Sequence, residues 1–464
     1  MNAVSESVSS LPDDWEWKKL ADVVDILDSR RVPINAKERA TRQGDVPYYG
    51  ATGQVGYIDD FIFDEELVLL GEDGAPFFDP SKQKAYVIRG KSWVNNHAHV
   101  LRGKDGIQNV YIKHYLDHFD YHGYVTGTTR LKLNQGRMKE IPIPIAPKEQ
   151  RERIVAEIEK QFSRLDEAVA SLKRVTVNLK RYKAAVLKAA VEGKLTEEWR
   201  KQNPDVEPAS KLLERILVER RAKWEQAELA KMKAKGKEPK NDKWKDKYKE
   251  SSALSEAESK AVPAGWVLAT VEQLAAVGTG ATPLKSNKAY YDGGDIPWVT
   301  SGALNDDFVR EAEGLVTQLA IDETNIKLFP VHSLLVAMYG EGKTRGKVSE
   351  LLIEATTNQA CAALVFDELS KGLKDYVKLF FQKNYDDIRR LSSGGVQPNL
   401  NLGLIKGTKL PVPPLEEQLL ILDLVEQKLS VISEIDSQLA SDVARVGRLR
   451  QSVLAQAFSR GIYG

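Results

Sequence analysis

The sequence predicts an α+β protein that contains the same architecture twice: two similar β-rich domains, each followed by a long helix. Three observations support this prediction. Short strings recur in one order along the chain, β-branched and aromatic runs fill the first part of each copy, and a heptad pattern fills the last part. With 464 residues, the chain is also long enough for two or more domains.

The recurring strings indicate a tandem duplication, because four matches keep their order and nearly their spacing. The pairs, first copy then second, are LPDDW (11–15) and VPAGW (262–266), GDVPYYG (44–50) and GDIPWVT (294–300), IPIPIAPKEQ (141–150) and LPVPPLEEQ (410–418), and YKAAVLKAA (182–190) and LRQSVLAQA (449–457). In this alignment the first Pro-rich stretch has one additional residue. The same alignment matches Gly71-Glu72 with Gly340-Glu341.

Each copy begins with short apolar runs separated by Gly, Pro and Asn, which are typical of strands and turns. A Pro-rich stretch then ends the β-rich part, and a long segment without proline follows. We therefore expect β-rich domains over residues 11–148 and 261–414, and long helices over 149–195 and 415–464. Residues 196–260 predict a charged helix and a lysine-rich linker. This linker is either a solvated connection or a contact for nucleic acid or a partner through Trp224, Trp244 and Tyr248.

A heptad pattern over five repeats predicts that both long helices form a coiled coil. The seam positions are Ile158, Leu165, Leu172, Leu179 and Val186 in the first helix, and Val425, Ile432, Leu439, Val446 and Val453 in the second. Every position in the second series stands 267 residues after its counterpart. The alternative is a pair of unrelated helices on separate cores, which the matched phase disfavours.

The composition excludes some functions. Because 67 Lys+Arg balance 66 Asp+Glu, any affinity for nucleic acid must come from local patches. Cys361, the only cysteine, lies in an apolar run and is interpreted as a buried structural thiol. No apolar run approaches the roughly 20 residues that span a bilayer, and the first residues do not resemble a signal peptide. We therefore expect a cytoplasmic protein without a membrane partner.

The duplicated order of motifs resembles the specificity subunit of type I restriction–modification systems over nearly the whole chain. The strings that carry the resemblance are the LPxxW-like openings, GDIPWVT, LLVAMYGEG, TTNQA, SGGVQPNLNL, LPVPPLEEQ, VLKAAVEGKL and VLAQAFSRG. The resemblance implies two target-recognition domains that each read one half of a split DNA sequence. It also implies that the two conserved helices pair as an antiparallel coiled coil and hold these domains apart.

The same resemblance implies a subunit without catalytic activity. Its partners would be double-stranded DNA, two methyltransferase subunits and, in the restricting complex, restriction and translocase subunits. S-adenosylmethionine, ATP and Mg would then be bound by those partners. A helix of about 40 residues is about 60 Å long, so we expect helix length to set the gap between half-sites about 34 Å apart. The alternative function is a duplicated coiled-coil scaffold that does not read DNA.

Candidate DNA contacts are basic and amide side chains on predicted loops, because Arg and Lys bind guanine edges and phosphates while Asn and Gln bind adenine. In the first domain they are Arg30, Arg31, Lys37, Arg39, Arg42, Gln43 and Arg130. In the second domain they are Thr282, Lys285, Asn287, Lys288, Tyr290, Lys343, Thr344, Arg345, Lys347 and Gln397. Any one of these residues could equally be ordinary solvated surface.

Residues 342–344 read GKT, the end of a phosphate-binding loop, but Ala337 stands where that loop requires glycine. The first copy has no lysine–threonine pair at this place. We therefore interpret the segment as a basic β-hairpin near DNA. The sequence contains no methyltransferase-type Asn/Asp-Pro-Pro-aromatic loop and no glycine-rich cofactor loop, so no catalytic residue is predicted.

Histidines suggest one metal hypothesis. His114, His118 and His122 stand at i, i+4 and i+8, a spacing that would place zinc ligands on one helix face. The aligned segment of the second copy has Leu379 and Lys383 instead of the first two. The duplicated scaffold therefore does not need a metal, and the prediction is an ordinary half-buried helix without one.

Overall fold

A computed structural model describes residues 11–236, 239, 241–248, 250, 262–340, 344–391 and 399–459. The chain divides into two compact units. Unit 1 comprises Met1–Val177 with Asp436–Gly464, and unit 2 comprises Asn178–Ile435. Each unit contains one β-rich half of the sequence together with parts of both long helices.

Unit 1 has ten strands and four short helices among its described residues. The strands are β1 (Glu16–Lys19), β2 (Val24–Ile26), β3 (Val46–Gly50), β4 (Gly53–Ile58), β5 (Phe63–Asp64), β6 (Leu67–Gly71), β7 (Ala85–Ile88), β8 (Lys91–Val94), β9 (Ala98–Gly103) and β10 (Pro142–Ile145). The helices are α1 (Leu20–Val23), α2 (Ala36–Thr41), α3 (Asn109–His118) and α4 (Gln135–Lys139). One sheet has the order β2-β9-β6-β7, a second has the order β4-β3-β8-β5, and β1 pairs with β10.

The long helices and the linker follow the same chain order. The first long helix, α5, spans Lys148–Val191, and the linker forms α6 (Glu197–Gln202) and α7 (Ala209–Ala234). The predicted charged helix is therefore present, and Trp224 stacks on the buried Trp244 with ring centroids 6.0 Å apart. Two of the linker tryptophans thus pack on each other. No helix in the described part of the chain is long and apolar enough to cross a membrane.

Unit 2 repeats the architecture of unit 1. Its strands are β11 (Val267–Thr270), β12 (Ala276–Thr279), β13 (Ile296–Val299), β14 (Phe308–Val309), β15 (Gly314–Val316), β16 (Leu328–Phe329), β17 (Leu334–Ala337), β18 (Val348–Leu351), β19 (Ala355–Thr357), β20 (Cys361–Val365) and β21 (Lys409–Val412). Besides the end of α5 and the linker helices α6 and α7, its helices are α8 (Val271–Leu274), α9 (Gln318–Glu323), α10 (Lys374–Lys383), α11 (Tyr385–Leu391), α12 (Leu402–Lys406) and the second long helix, α13 (Leu415–Ser459), which it shares with unit 1.

The sheets of unit 2 match those of unit 1 strand by strand. The first has the order β12-β20-β17-β18 with β14 added at its edge, the second has the order β15-β13-β19-β16, and β11 pairs with β21. The unusual parallel pair of β3 with β8 recurs as β13 with β19. The strands β6 and β17 are buried along their whole length, because their alternate residues pack into two different cores, one on each face of the sheet.

The long helices pair in antiparallel fashion within each unit. In unit 1, Ile158 near the start of α5 shares a core with Leu454 and Phe458 near the end of α13. In unit 2, Val186 near the end of α5 packs with Val425 near the start of α13. The predicted α+β fold class, with its antiparallel coiled coil and tandem repeat, is confirmed.

All of the predicted seam residues are buried or half-buried. Ile158, Val186, Val425, Ile432, Leu439 and Val446 are buried, and Leu165, Leu172, Leu179 and Val453 are half-buried. Burial at every seventh residue in both helices is the geometry that a heptad seam produces. Apolar residues outside the seam, such as Val431, remain exposed.

The alignment of the Pro-rich stretches is wrong by one residue. Glu16 pairs with Ile145 in the β1–β10 ladder, and Val267 pairs with Val412 in the β11–β21 ladder. Both long helices then begin at equivalent positions, so the first stretch has no additional residue. Gln150 corresponds to Glu417 rather than to Gln418. The error arose because both strings contain the letters EQ. Strand register, and not residue identity, determines which residues of the two copies are equivalent.

The match of Gly71-Glu72 with Gly340-Glu341 is also wrong. The carbonyl of Glu72 accepts a hydrogen bond from the Leu133 amide at 2.7 Å, and that of Met338 accepts one from the Leu400 amide at 3.1 Å. Glu72 therefore corresponds to Met338. Glu341 itself lies outside the described residues.

Candidate nucleic-acid interface

Three candidate arginines of unit 1 lie on aromatic rings of one sheet. The pairs are Arg30 on Phe63 (4.6 Å to the ring centroid), Arg39 on Tyr48 (4.8 Å) and Arg42 on Trp93 (4.7 Å). The rings belong to the sheet β4-β3-β8-β5. Stacking of this kind orients a guanidinium group while leaving its edge available for hydrogen bonds.

Helix α2 positions two of these arginines. Its N-terminus is capped by Asn35, whose side chain accepts hydrogen bonds from the amides of Lys37 and Glu38. Lys37 is exposed near the start of the helix and Gln43 is exposed just beyond its end. The helix therefore presents a local basic patch, as a DNA contact by a chain of balanced charge requires.

Acidic neighbours partly balance this patch. Arg42 pairs with Asp59 at 2.7 Å, and this hydrogen bond raises the pKa of Arg42 above its ordinary value. Arg30 donates to the Ile62 carbonyl at 3.1 Å and lies 3.5 Å from Glu65. A phosphate that approaches these arginines would compete with exposed carboxylates, which hold such pairs only weakly.

Arg31 has different surroundings from the other candidates. Its Nη1 donates to Glu72 Oε2 and to the Ala98 carbonyl, both at 2.7 Å. The side chain is only 14% exposed. The structure therefore places Arg31 in an internal network rather than on the surface of the patch.

The same network contains residues that the sequence interpretation missed. Asp28 Oδ2 lies 2.6 Å from Nδ1 of the buried His99, whose Nε2 lies 2.8 Å from the Leu133 carbonyl. Burial alone would raise the pKa of Asp28, but hydrogen bonds from His99, the Val100 amide and Gln135 lower it below its ordinary value. The carboxylate is therefore ionised and tied to three chain segments.

Asp28, Glu72 and His99 bring three potential metal-ligand atoms within 4.8 Å of one another. The Arg31 guanidinium already neutralises Glu72, and both ring nitrogens of His99 face protein oxygens. A cation at this place would be repelled by Arg31, so the donor set suits an ion-pair network better than a metal.

The three histidines of the zinc hypothesis do not share a helix face. Helix α3 ends at His118, and His122 lies beyond it and stacks on Phe78 with ring centroids 4.2 Å apart. His114 Nε2 instead contacts Glu159 of α5 at 2.5 Å. The predicted alignment with the second copy is consistent with the structure, because α3 and α10 have equal lengths.

Arg130 lies in the turn before α4 and is exposed. Its Nη2 lies 2.6 Å from Asp73, which also lies 2.8 Å from His97 Nδ1. Its expected counterpart, Gln397, lies outside the described residues. The preserved caps nevertheless support the match of these two turns, because Asn134 caps α4 and Asn401 caps α12 in the same way.

The candidates of unit 2 lie in two groups. In the first, Thr282 donates to Gln359 at 2.7 Å and the Tyr290 hydroxyl donates to Glu323 at 3.1 Å. Asn287 caps the short 3₁₀ turn that contains Lys288 and Tyr290, and Lys285 and Lys288 are exposed.

The second group lies in the β17–β18 connection. Thr344 and Lys347 both contact Asn305, at 3.2 and 3.1 Å, and Arg345 is half-buried. Lys343 lies outside the described residues. Val336 pairs with Val348 in an antiparallel ladder, so the chain continues as a strand where a phosphate-binding loop would begin a helix. β17 and β18 are therefore an antiparallel pair, and the predicted place of their basic connection near DNA stays a prediction.

Cys361 is buried at the start of β20, and burial raises the pKa of its thiol to about 12. A thiol of this kind stays protonated and inert at neutral pH. The interpretation of Cys361 as a structural residue therefore agrees with its surroundings.

Comparison with known families decides what the duplicated domains are. The type I restriction modification DNA specificity domain matches residues 12–176 and again residues 263–443. The chain belongs to this family. It is a type I specificity subunit with two recognition domains, and specificity subunits are the non-catalytic members of their systems.

Individual specificity subunits resemble the chain to different extents. One from Haemophilus influenzae is 36% identical over 132 residues, which are 28% of this chain and only 33% of that relative. The chain thus spans about a third of that relative's length. The EcoDI specificity subunit of Escherichia coli is 24% identical over 468 residues, which cover 97% of this chain and 89% of the relative.

Two solved structures from type I restriction–modification systems have the same fold. The HsdS subunit from Thermoanaerobacter tengcongensis has a TM-score of 0.52 at 14% identity, covering 99% of this chain and 100% of that one. A chain from a study of complex assembly and conformational transition of the type I R-M system has a TM-score of 0.61 at 14% identity, covering 97% and 99%. At this identity the likeness concerns the fold alone.

Proposed function

We propose that the chain is the DNA-reading subunit of a type I restriction–modification enzyme and recognises a bipartite, gapped target. The recognition domain over residues 11–148 reads one half-site and the domain over residues 261–414 reads the other. The observation that supports this most strongly is the repetition of both sheets, strand by strand, including the parallel pairs β3–β8 and β13–β19. Duplex DNA has matching approximate dyad symmetry, so a duplicated protein can use equivalent surfaces on two half-sites.

In the first domain, the proposed contacts are the stacked arginines and their neighbours on α2. Arg30, Arg39 and Arg42 are held by the rings on which they stack and would contact phosphates or guanine edges, and Lys37 and Gln43 flank them. Arg31 contributes indirectly, because its bonds to Glu72 and Ala98 hold the backbone beneath this surface.

In the second domain, we propose contacts from the loop before β13 and from the β17–β18 hairpin. The loop contributes Thr282, Lys285, Asn287, Lys288 and Tyr290, and the hairpin contributes Lys343, Thr344, Arg345 and Lys347, with Gln397 in a third loop. Lys285 and Lys288 are exposed, so their ammonium groups are available to phosphates.

The long helices are the proposed docking surface for two methyltransferase subunits, and their length sets the unread gap. Val431 and Ile435 are exposed on α13 within unit 2, one helical turn apart on the same side. Val175 and Val177 on α5 are exposed in unit 1. Apolar side chains that lie outside the seam of a coiled coil have no function in the pair itself, so a partner that covers them is favoured.

In this assignment, S-adenosylmethionine, ATP and Mg belong to partner subunits, and the restricting complex adds restriction and translocase subunits. Footprinting of the purified methyltransferase complex tests the proposal. We expect two protected segments with a constant gap, and no protection when this chain is omitted. A complex that assembles but protects no particular sequence would favour the scaffold function instead.

A further inference from the structure

Two consecutive carboxylates after β6 have different partners. Glu72 accepts from Arg31 at 2.7 Å and lies 3.3 Å from Lys132. Asp73 lies 2.8 Å from His97 Nδ1 and 2.6 Å from Arg130 Nη2. One dipeptide thus joins the internal network of the domain to an imidazole and a guanidinium group at its surface.

The members of the outer group differ in exposure. The side chain of Asp73 is 17% exposed, whereas those of His97 and Arg130 are 40% and 62% exposed. The Asp73 carboxylate is therefore largely shielded from solvent, whereas the imidazole of His97 and the guanidinium of Arg130 extend from it towards solvent. Because Nδ1 of His97 faces Asp73, its other ring nitrogen stands on the opposite side of the ring.

The backbone of the turn holds Arg130 in place. Gly127 has φ +95°, and a Cβ there would lie 2.4 Å from the Arg130 carbonyl oxygen, so only glycine fits. The Gly74 amide donates to the Leu131 carbonyl at 2.9 Å, which fixes the turn against the segment that contains Asp73. The backbone position of Arg130 is therefore fixed by the fold of this turn.

The internal network stiffens the same turn from beneath. His99 bonds to the Leu133 carbonyl, and the Leu133 amide donates to the Glu72 carbonyl. Glu72 also receives the Arg31 guanidinium. A buried, fully satisfied polar network of this kind favours a single arrangement of the groups attached to it.

The second domain has different residues at the positions of His97 and Asp73. The Glu72 amide bonds to the His97 carbonyl at 2.8 Å, and the Met338 amide bonds to the Ala360 carbonyl at 2.7 Å, so Ala360 stands where His97 does. The residue after Met338 is Tyr339 rather than an aspartate. Within the described part of the second domain, this group therefore has no equivalent at these positions.

We propose that His97 and Arg130, held together by Asp73, form a DNA-contacting pair in the half-site of the first domain: Arg130 donates hydrogen bonds to acceptor atoms there, and His97, whose Nδ1 is held by Asp73, presents Nε2 to the DNA. This inference rests on the proposed DNA-reading function. The acceptors are guanine O6 and N7 in the major groove or phosphate oxygens, which present the same chemistry to an arginine. The second domain reads its half-site without such a pair, so the two half-sites depend on different residues.

Two single variants in the complete methyltransferase complex test the pair. His97→Ala copies the residue of the second domain, and Arg130→Ala removes the guanidinium. Both side chains are exposed, so the fold is expected to persist, and hydrogen exchange of β6 and β9 checks this. Arg89→Ala is the matched control, because Arg89 is an exposed arginine of the same domain that pairs with Glu66 at 2.8 Å.

The expected result is about 10- to 100-fold weaker binding of the wild-type target by each variant, with no change for Arg89→Ala. If the pair contacts a guanine, one base pair of a single half-site becomes degenerate in the methylated sequences. If it contacts a phosphate, affinity falls equally for all sequences and the salt dependence becomes shallower. Unchanged affinity and specificity in both variants would overturn the inference. A wild-type complex without any sequence preference would instead overturn the proposed function.

Discussion

The indole of Trp266 donates a hydrogen bond to Glu417 at 2.8 Å, just after the start of the second long helix. The equivalent indole of Trp15 donates to Gln150 at the same distance and at the matching helix position. Glu417 is fully buried and also accepts from Thr196 at 2.6 Å and Arg200 at 2.7 Å. Each recognition domain is thus joined to a long helix by a tryptophan hydrogen bond. The acceptor is the carboxylate of Glu417 in unit 2 and the neutral amide of Gln150 in unit 1.

Replacing Glu417 tests how much these hydrogen bonds stabilise unit 2. Glu417→Ala removes the acceptor of three donors and leaves Arg200 without its carboxylate, so we expect a loss of about 3 kcal/mol in the stability of unit 2. Hydrogen exchange of β11 and β21 measures the loss locally. Gln150→Ala is the matched control in unit 1 and should cost about 1 kcal/mol, as for a neutral hydrogen bond. Equal effects of the two variants would contradict the account.

Acid sensitivity of unit 1 is predicted from His114. Burial and the nearby Lys113 lower the pKa of His114 to about 4, although Glu159 opposes this shift. The burial effect dominates because the Glu159 side chain is 58% exposed and its charge is screened. The folded state therefore keeps the ring neutral, whereas the unfolded chain takes up a proton below the ordinary value of 6.5.

The stability that His114 contributes is present above about pH 6.5 and is lost as the pH falls towards 4. His114→Leu copies Leu379 of the second domain and should remove this part of the acid sensitivity, up to about 3 kcal/mol. Hydrogen exchange of α3 at pH 5 and pH 7.5 in both proteins is the measurement. A variant that loses as much protection as the wild type on acidification would show that His114 does not titrate as described.

The stacked arginines predict a salt effect on DNA binding. Arg42→Ala removes a cation that lies on Trp93 beside the basic helix α2, so affinity should fall for target and non-target DNA alike. The slope of log affinity against log salt should become shallower by about one. Titrations of the methyltransferase complex at several salt concentrations measure both quantities. Arg89→Ala should retain the wild-type slope, and a steeper or unchanged slope for Arg42→Ala would refute the phosphate contact.

The exposed apolar side of α13 predicts a specific assembly defect. Val431→Glu combined with Ile435→Glu places two charges where a methyltransferase subunit is proposed to dock, while the buried seam residue Ile432 stays intact. The variant should remain folded and fail to copurify with its methyltransferase partner. Ser433→Glu, on the same turn but facing another direction, is the control and should copurify normally. Normal assembly of the double variant would exclude this docking surface.

Much of the architecture was predictable from one sequence because the duplication repeats each signal. The seam residues Ile158 and Val425 belong to two series with one offset, and apolar periodicity reports directly which side of a helix is buried. The pairing of β17 with β18 was also predictable, since the strand-like residues on both sides of Gly346 disfavour the helix that a phosphate-binding loop requires.

The candidate site was less predictable because its geometry depends on distant pairings. Arg31 was expected among the DNA contacts, yet its partner Glu72 is 41 positions away and is met only through sheet register. Asp28 and His99 are 71 positions apart for the same reason. The one-residue misalignment of Gln150 with Gln418 has a related cause, since hydrogen-bond register and not letter identity determines which residues are equivalent.

The most direct test of the DNA-reading function is methylation mapping by whole-genome sequencing of cells that contain the methyltransferase subunit with and without this chain. The account predicts one methylated bipartite motif, two short half-sites with a constant gap, that disappears when the chain is removed. The same motif in cells that lack the chain, or methylation without any motif when the chain is present, would contradict it.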